Sequence, residues 1–247
     1  MENNTENKLF VKSCCTTQPV QSDYTPIGEN ITLSDSLECY VVGDKNAKAS
    51  IIYVYDIFAK HPQAYQGCDI LANSGFRVIM PDFFRGEAAT EEMLKDMSSL
   101  ISWVLKVGSY SMLEKDFNTA KDYLTKEGFN TIFAVGFCYG GKLVMNLAGQ
   151  NPFIKAGAII HPSVVEPSEL DNCKVPIIML PAHDDPDMLP VYEALKKKPF
   201  GDQCYHQRFD DMKHGWCSSR GDWANPTVAA RANEAFTIVV NRFRDMV

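Results

Sequence analysis

Thr131 to Gln150 reads TIFAVGFCYGGKLVMNLAGQ, and the order of residue types in this stretch decides the fold. Ile132 to Val135 is a short apolar run of the kind that forms a fully buried strand. Gly136-Phe137-Cys138-Tyr139-Gly140 follows at once, and a helical pattern begins at Lys142. A strand, a tight turn with a nucleophile between glycines, and a helix make a nucleophile elbow, whose usual form is G-x-S-x-G. Cys138 stands in the serine position. A strand that enters a helix through one residue strains that residue's dihedrals, and small neighbours let the two arms approach; Gly136, Gly140 and Gly141 supply them. The sulfur is then held at the carboxyl edge of the sheet, at the positive end of a helix, where thiolate is favoured over thiol. The backbone N–H of Tyr139 is positioned to meet the oxyanion formed when a carbonyl is attacked. The competing reading is a buried structural cysteine on a glycine-rich turn.

Outward from this stretch, short apolar runs alternate with helical patterns. Leu37 to Val42, Ser50 to Tyr55, Phe76 to Met80, Ala156 to Ile160 and Val175 to Leu180 read as strands, and Gln203 to Phe209 alternates as another. His61 to Ser74, Glu91 to Lys106, Leu113 to Lys126 and Met188 to Lys197 carry helical spacing. Asn225-Pro226 opens a last helix to about Phe243. Tyr24 to Gly28 is turn chemistry. The alternation predicts one α/β domain over 21–247, with helices on both faces of a mostly parallel central sheet, behind a flexible N-terminal arm over 1–20.

Composition narrows the function. The chain of 247 residues is 45% hydrophobic and 22% charged, ordinary values for a soluble globular protein, and its net charge of −7 disfavours nucleic acid and anionic membrane surfaces as partners. No apolar run is long enough to span a bilayer, and the polar opening MENNTENKLF lacks a secretory pattern. Eight cysteines without such a signal suggest free thiols in the cytoplasm. The vicinal Cys14-Cys15 has no further ligand at metal-binding spacing, so no metal or cofactor is expected.

A cysteine nucleophile needs a base, and the base an orienting group. In folds built on such an elbow the chain order is nucleophile, acid, histidine. His214, between the last strand and the last helix, is the expected base. His206 sits in mid-strand, and His161 and His183 come too early in that order. Asp184, Asp185 and Asp187 crowd the loop after the strand ending at Leu180; Asp185 is favoured by its position, and Asp187 has a competing role as a helix cap.

Together these segments resemble the dienelactone hydrolase (carboxymethylenebutenolidase) family of α/β-hydrolases. The resemblance rests on Tyr55-Asp56-Ile57-Phe58, Gly75-Phe76 through Pro81-Asp82, Phe83-Phe84-Arg85-Gly86, the elbow, the strand Pro176 to Leu180 with Asp185, and His214-Gly215-Trp216. Cys14-Cys15 to Gly28 is similar to eukaryotic members. The resemblance implies Cys138 as nucleophile, Asp185 as acid and His214 as base, with the Ile57 N–H as second oxyanion donor. It also implies that Asp56 takes the place of a glutamate that pairs with the resting thiol, one methylene shorter here; a loop cap is the other reading of Asp56. Arg85 matches the family's arginine for a substrate carboxylate, and Arg220 stands near the place of a second. Phe58, Phe84 and Trp216 are candidates to line an apolar pocket. The expected activity is hydrolysis of a small carboxylate-bearing ester or lactone through a thioester on Cys138. The alternative is a non-catalytic carboxylate-binding or thiol redox-sensing protein on the same fold; a third reading is a redox thiol enzyme with Cys217 as the resolving partner.

Overall fold

The computed structural model describes residues 18–150, 152–165 and 172–247; Cys14, Cys15 and most of the expected N-terminal arm lie outside them. Fifteen helices and strands are named below. In chain order these are β1 (Glu29–Thr32), β2 (Glu38–Val42), β3 (Ser50–Val54), α1 (Pro62–Asn73), β4 (Arg77–Pro81), α2 (Glu91–Lys95), α3 (Met97–Val107), α4 (Tyr110–Lys126), β5 (Ile132–Phe137), α5 (Tyr139–Gly149), β6 (Gly157–Ile160), β7 (Ile177–Leu180), α6 (Leu189–Leu195), β8 (Tyr205–His206) and α7 (Pro226–Arg244). The strands form one eight-stranded sheet in the order β1-β2-β4-β3-β5-β6-β7-β8. The β1–β2 and β2–β4 pairings are antiparallel, which leaves β2 as the one reversed strand of this sheet; from β4 to β8 every pairing is parallel.

Parallel strands covered on both faces must be apolar on both sides, and β3, β4, β5, β6 and β7 are buried at every position. Their carboxyl ends share one rim, and the loops leaving Val54, Pro81, Phe137, Ile160 and Leu180 rise from it. In open α/β sheets that rim is where ligands bind.

The sequence reading departs from the structure in three places. The helix expected over Glu91 to Lys106 is two helices. Asp96 sits between them at φ −128°, ψ 102°, and its carboxylate accepts from Ser98 N–H at 3.1 Å, so it ends α2 and caps α3. The strand expected over Gln203 to Phe209 is reduced to Tyr205–His206 with a lone bridge between Ala182 and Phe209, because Gly201–Gln203 winds into a 3-10 turn. β1 was read as part of no strand. It is a mostly exposed edge segment, whose polar residues give no burial signal. Among the described residues, no helix is long and apolar enough to cross a membrane.

Candidate active site

The turn between β5 and α5 is built as its glycines require. Cys138 has φ 53° and ψ −117°. This is a conformation that non-glycine residues avoid, and one that persists only where the surroundings impose it. A Cβ on Gly136 would lie 2.2 Å from the Gly140 carbonyl oxygen, and one on Gly140 would lie 2.3 Å from the Val54 oxygen and 2.5 Å from the Tyr55 oxygen. These are backbone atoms of the helix arm and of β3, so neither glycine has an alternative. Gly141 is less constrained, with Pro162 Cβ at 3.2 Å. Cys138 N–H donates to Ile160 O at 3.2 Å, and Cys138 O accepts from Ser163 N–H and Gly141 N–H, each at 3.1 Å. Tyr139 is the first residue of α5, and its hydroxyl anchors to Gly108 O at 2.9 Å.

The three aspartates of the loop after β7 divide into three tasks. Asp185 Oδ1 lies 2.5 Å from His214 Nδ1, with both side chains fully buried, and its Oδ2 accepts from Ala182 N–H at 2.6 Å. Asp184 Oδ1 accepts from the His214 backbone N–H at 2.6 Å. Asp187 Oδ1 accepts from Leu189 N–H at 3.0 Å, which caps α6. One aspartate therefore orients the imidazole and its neighbour fixes the imidazole's backbone. The loop is also clamped by Arg208, whose guanidinium donates to the carbonyls of Ala182, His183, Asp185 and Pro186. Nothing in the sequence pattern singles out Arg208, because its partners are main-chain oxygens.

His161, set aside on chain order, belongs to the same region. It ends β6 at φ 38°, is fully buried, and its ring packs edge-on to that of His214 with centroids 5.1 Å apart. Chain order identifies the residue that fits the role of base, but not what packs against it. His206 lies on the edge strand β8, stacked on Tyr192, and burial pushes its imidazole below the ordinary value.

Asp56, the expected partner of the resting thiol, is bonded to its own loop and to two serines. Its Oδ1 accepts from Phe58 N–H and Ser219 Oγ, each at 2.9 Å, and its Oδ2 accepts from Ser218 Oγ at 2.6 Å and Ser219 N–H at 3.2 Å. An aspartate is short enough to reach its own backbone two residues on, and this holds both oxygens toward the serines. The bond from Phe58 N–H is a loop cap, and the bonds from the serines link Asp56 to the 213–220 loop across 162 residues, a distance over which residue patterns carry no signal. Ile57, beside it, donates its N–H to no acceptor among the described residues, while its carbonyl accepts from Ala89 N–H at 2.9 Å.

Arg85 is committed elsewhere. It follows β4 at φ 54°, and its guanidinium donates to Asp116 Oδ1 at 2.7 Å and to Asp82 O at 2.9 Å. The contact with Asp116 is an ion pair. Phe84 packs between Tyr55 and Trp103 as core. Arg220 lies over the Phe58 ring, 4.8 Å from its centroid, and lines a cavity of about 330 Å³ together with Lys213, His214 and Trp216. Trp216 is itself buried against Phe209. Cys138 and His214 are 1% and 3% exposed; His214 is one of the residues around this cavity and Cys138 is not. Cys217 is fully buried, and burial pushes its thiol well above the ordinary range.

A mostly parallel sheet with a strained strand–turn–helix at Cys138, and with the loops of Asp185 and His214 on the same rim, is an α/β-hydrolase fold. Within that class the chain belongs to the dienelactone hydrolase family, whose profile matches residues 37–247. It is 25% identical over 245 residues to an uncharacterized AIM2 family protein of Schizosaccharomyces pombe, covering 94% of this chain and 99% of that one. It is 23% identical to the human carboxymethylenebutenolidase homolog, over 86% of this chain and 89% of that one. Among solved structures it is similar to a dienelactone hydrolase-like promiscuous phosphotriesterase from metagenomic libraries, with TM-score 0.65, 18% identity, and coverage of 89% and 98%. Family membership assigns the reaction class, hydrolysis of an ester or lactone bond.

Proposed function

We propose that the protein hydrolyses a small carboxylate-bearing ester or lactone through a thioester on Cys138. The observation that carries this reading is the buried 2.5 Å contact between His214 Nδ1 and Asp185 Oδ1, on the same rim as the strained Cys138. An imidazole fixed by a carboxylate at Nδ1 keeps Nε2 for the proton of a nucleophile. In this reading His214 takes the Cys138 proton, the thiolate attacks the carbonyl, and the Tyr139 and Ile57 amides hold the oxyanion. The alkoxide leaves with the proton from His214. Water, deprotonated by His214, then attacks the thioester and releases the acid and the thiol. Arg220 at the cavity is the residue that would meet a substrate carboxylate, with Phe58 beneath it and Trp216 beside it. The low exposure of Cys138 favours small acyl groups. A thiolate nucleophile must stay reduced, which supports the cytoplasm as its setting.

The test is turnover of activated aryl esters and small lactones by the wild type and by Cys138→Ala. Loss of activity by roughly 10³-fold or more is expected on removing the nucleophile. Wild-type rates in the variant would refute the role of Cys138. A wild type that is alkylated at Cys138 but turns over no ester would instead favour the binding or thiol-sensing alternative.

A further inference from the structure

Two loops of the rim must keep a fixed separation if a base on one and an oxyanion donor on the other are to act on the same carbonyl. One is Asp56–Ala59, leaving β3; the other is 213–220, which carries His214. The Asp56 carboxylate, 4% exposed, receives four hydrogen bonds, three of them from Ser218 and Ser219 and one from Phe58 N–H. Ser218 and Ser219 are themselves buried. Around this link, Ala59 N–H donates to Asp56 O at 3.1 Å, Ser218 N–H donates to Gly215 O at 3.1 Å, and Arg220 stacks on Phe58. The hydroxyls and amides facing Asp56 are neutral, so a buried anion is satisfied here by dipoles alone, all of which come from the two loops. Such a group is costly to uncouple, because each donor removed leaves charge desolvated without a partner.

We propose that Asp56 is a positioning residue: its carboxylate clasps the His214 loop to the Ile57 loop and so sets the distance between base and oxyanion donor. This rests on the catalytic reading given above for His214 and Ile57. Ser218 and Ser219 are part of the same device.

The experiment compares wild type with Ser218→Ala/Ser219→Ala, Asp56→Asn and Asp56→Ala, reading kcat and KM on an activated aryl ester and amide hydrogen exchange over 213–220. Misplacing a catalytic group by about 1 Å costs on the order of 10²-fold. The serine double variant is therefore expected to lose about 10- to 100-fold in kcat, with KM within about threefold, and to exchange faster over 213–220 while the sheet strands stay protected. Asp56→Asn, which keeps one acceptor, is expected to fall between wild type and Asp56→Ala. If the serine double variant retains wild-type kcat and wild-type exchange over 213–220, the clasp is overturned. Should Asp56→Ala fail to fold, Ser218→Ala alone decides the matter by the same two readings. A wild type without Cys138-dependent turnover would sink the catalytic reading, and the exchange comparison would still judge the clasp.

Discussion

Asp185 and Asp56 are both buried aspartates just past the carboxyl ends of parallel strands, and both hold the loop 213–220, but from opposite sides. Asp185 meets it through an imidazole, a group that can become a cation. Asp56 meets it through two hydroxyls and an amide, which cannot. The first arrangement gains strength when the ring is protonated, which in the proposed reaction would favour the charged transition state. The second is indifferent to the protonation of its partners and contributes geometry only. Under the proposed reading the same side chain has a chemical task at one end of the loop and a mechanical one at the other, and the difference lies in the donor.

The largest effect expected from this contrast is at Asp185. In Asp185→Asn the geometry is kept while the charge and the ring's tautomer preference are lost, and kcat on an activated ester should drop roughly 10³- to 10⁴-fold. A fall smaller than tenfold would put the two aspartates on the same footing and break the comparison. A second change moves the Asp56 side without touching either carboxylate. Gly140→Ala places a Cβ 2.3 Å from Val54 O and 2.5 Å from Tyr55 O, so β3 and α5 must separate. Overpacking against backbone should cost about 3 kcal/mol, read as a lower urea midpoint. A variant as stable as wild type would show that the elbow is not tied to β3.

The smallest effect extends the contrast to a third, partly buried carboxylate, beside the amino end of β4. Glu127 accepts from Arg77 Nε at 2.8 Å and Nη2 at 2.9 Å and from Tyr123 Oη at 2.8 Å. Burial pushes its carboxyl up, but the bonds from Arg77 and Tyr123 outweigh this and hold it below its ordinary value of 4.5. A folded-state value below the unfolded one means that the ionised form stabilises the fold above that ordinary value, and that the contribution fades as pH falls through the lower one. Glu127→Gln should therefore be less stable than wild type by about 2 kcal/mol at pH 7. The gap should narrow as pH drops below 4.5. Urea unfolding at both pH values checks this, and a gap that widens in acid would reverse the assignment.

How much was legible depends on how local each feature is. The elbow was readable because its strand, glycines, cysteine and helix lie within twenty consecutive residues and each type has one steric reason to be there. The loop after β7 was legible as an acid loop, and Asp187 as a cap, because capping acts two residues away. That Asp184 would fix the His214 backbone was not legible, since adjacent aspartates look alike until the loop's winding turns one toward an amide. Arg85 matched a family position, yet its guanidinium is bound to Asp116, thirty-one residues away. Arg208 and His161 left no signal, because one binds carbonyls and the other is placed by packing.

The sequence by itself determined the alternation of strands and helices, the strained turn at Cys138, and the order of nucleophile, acid and histidine. These follow from periodicity and steric limits that act over a few residues. Only the tertiary structure decided which carboxylate faces the imidazole and what Asp56 holds. Those partners are 29 residues apart in one case and 162 in the other. They meet because parallel pairing brings the strand ends to one rim, and a hydrogen bond forms only where that register leaves donor and acceptor within about 3 Å.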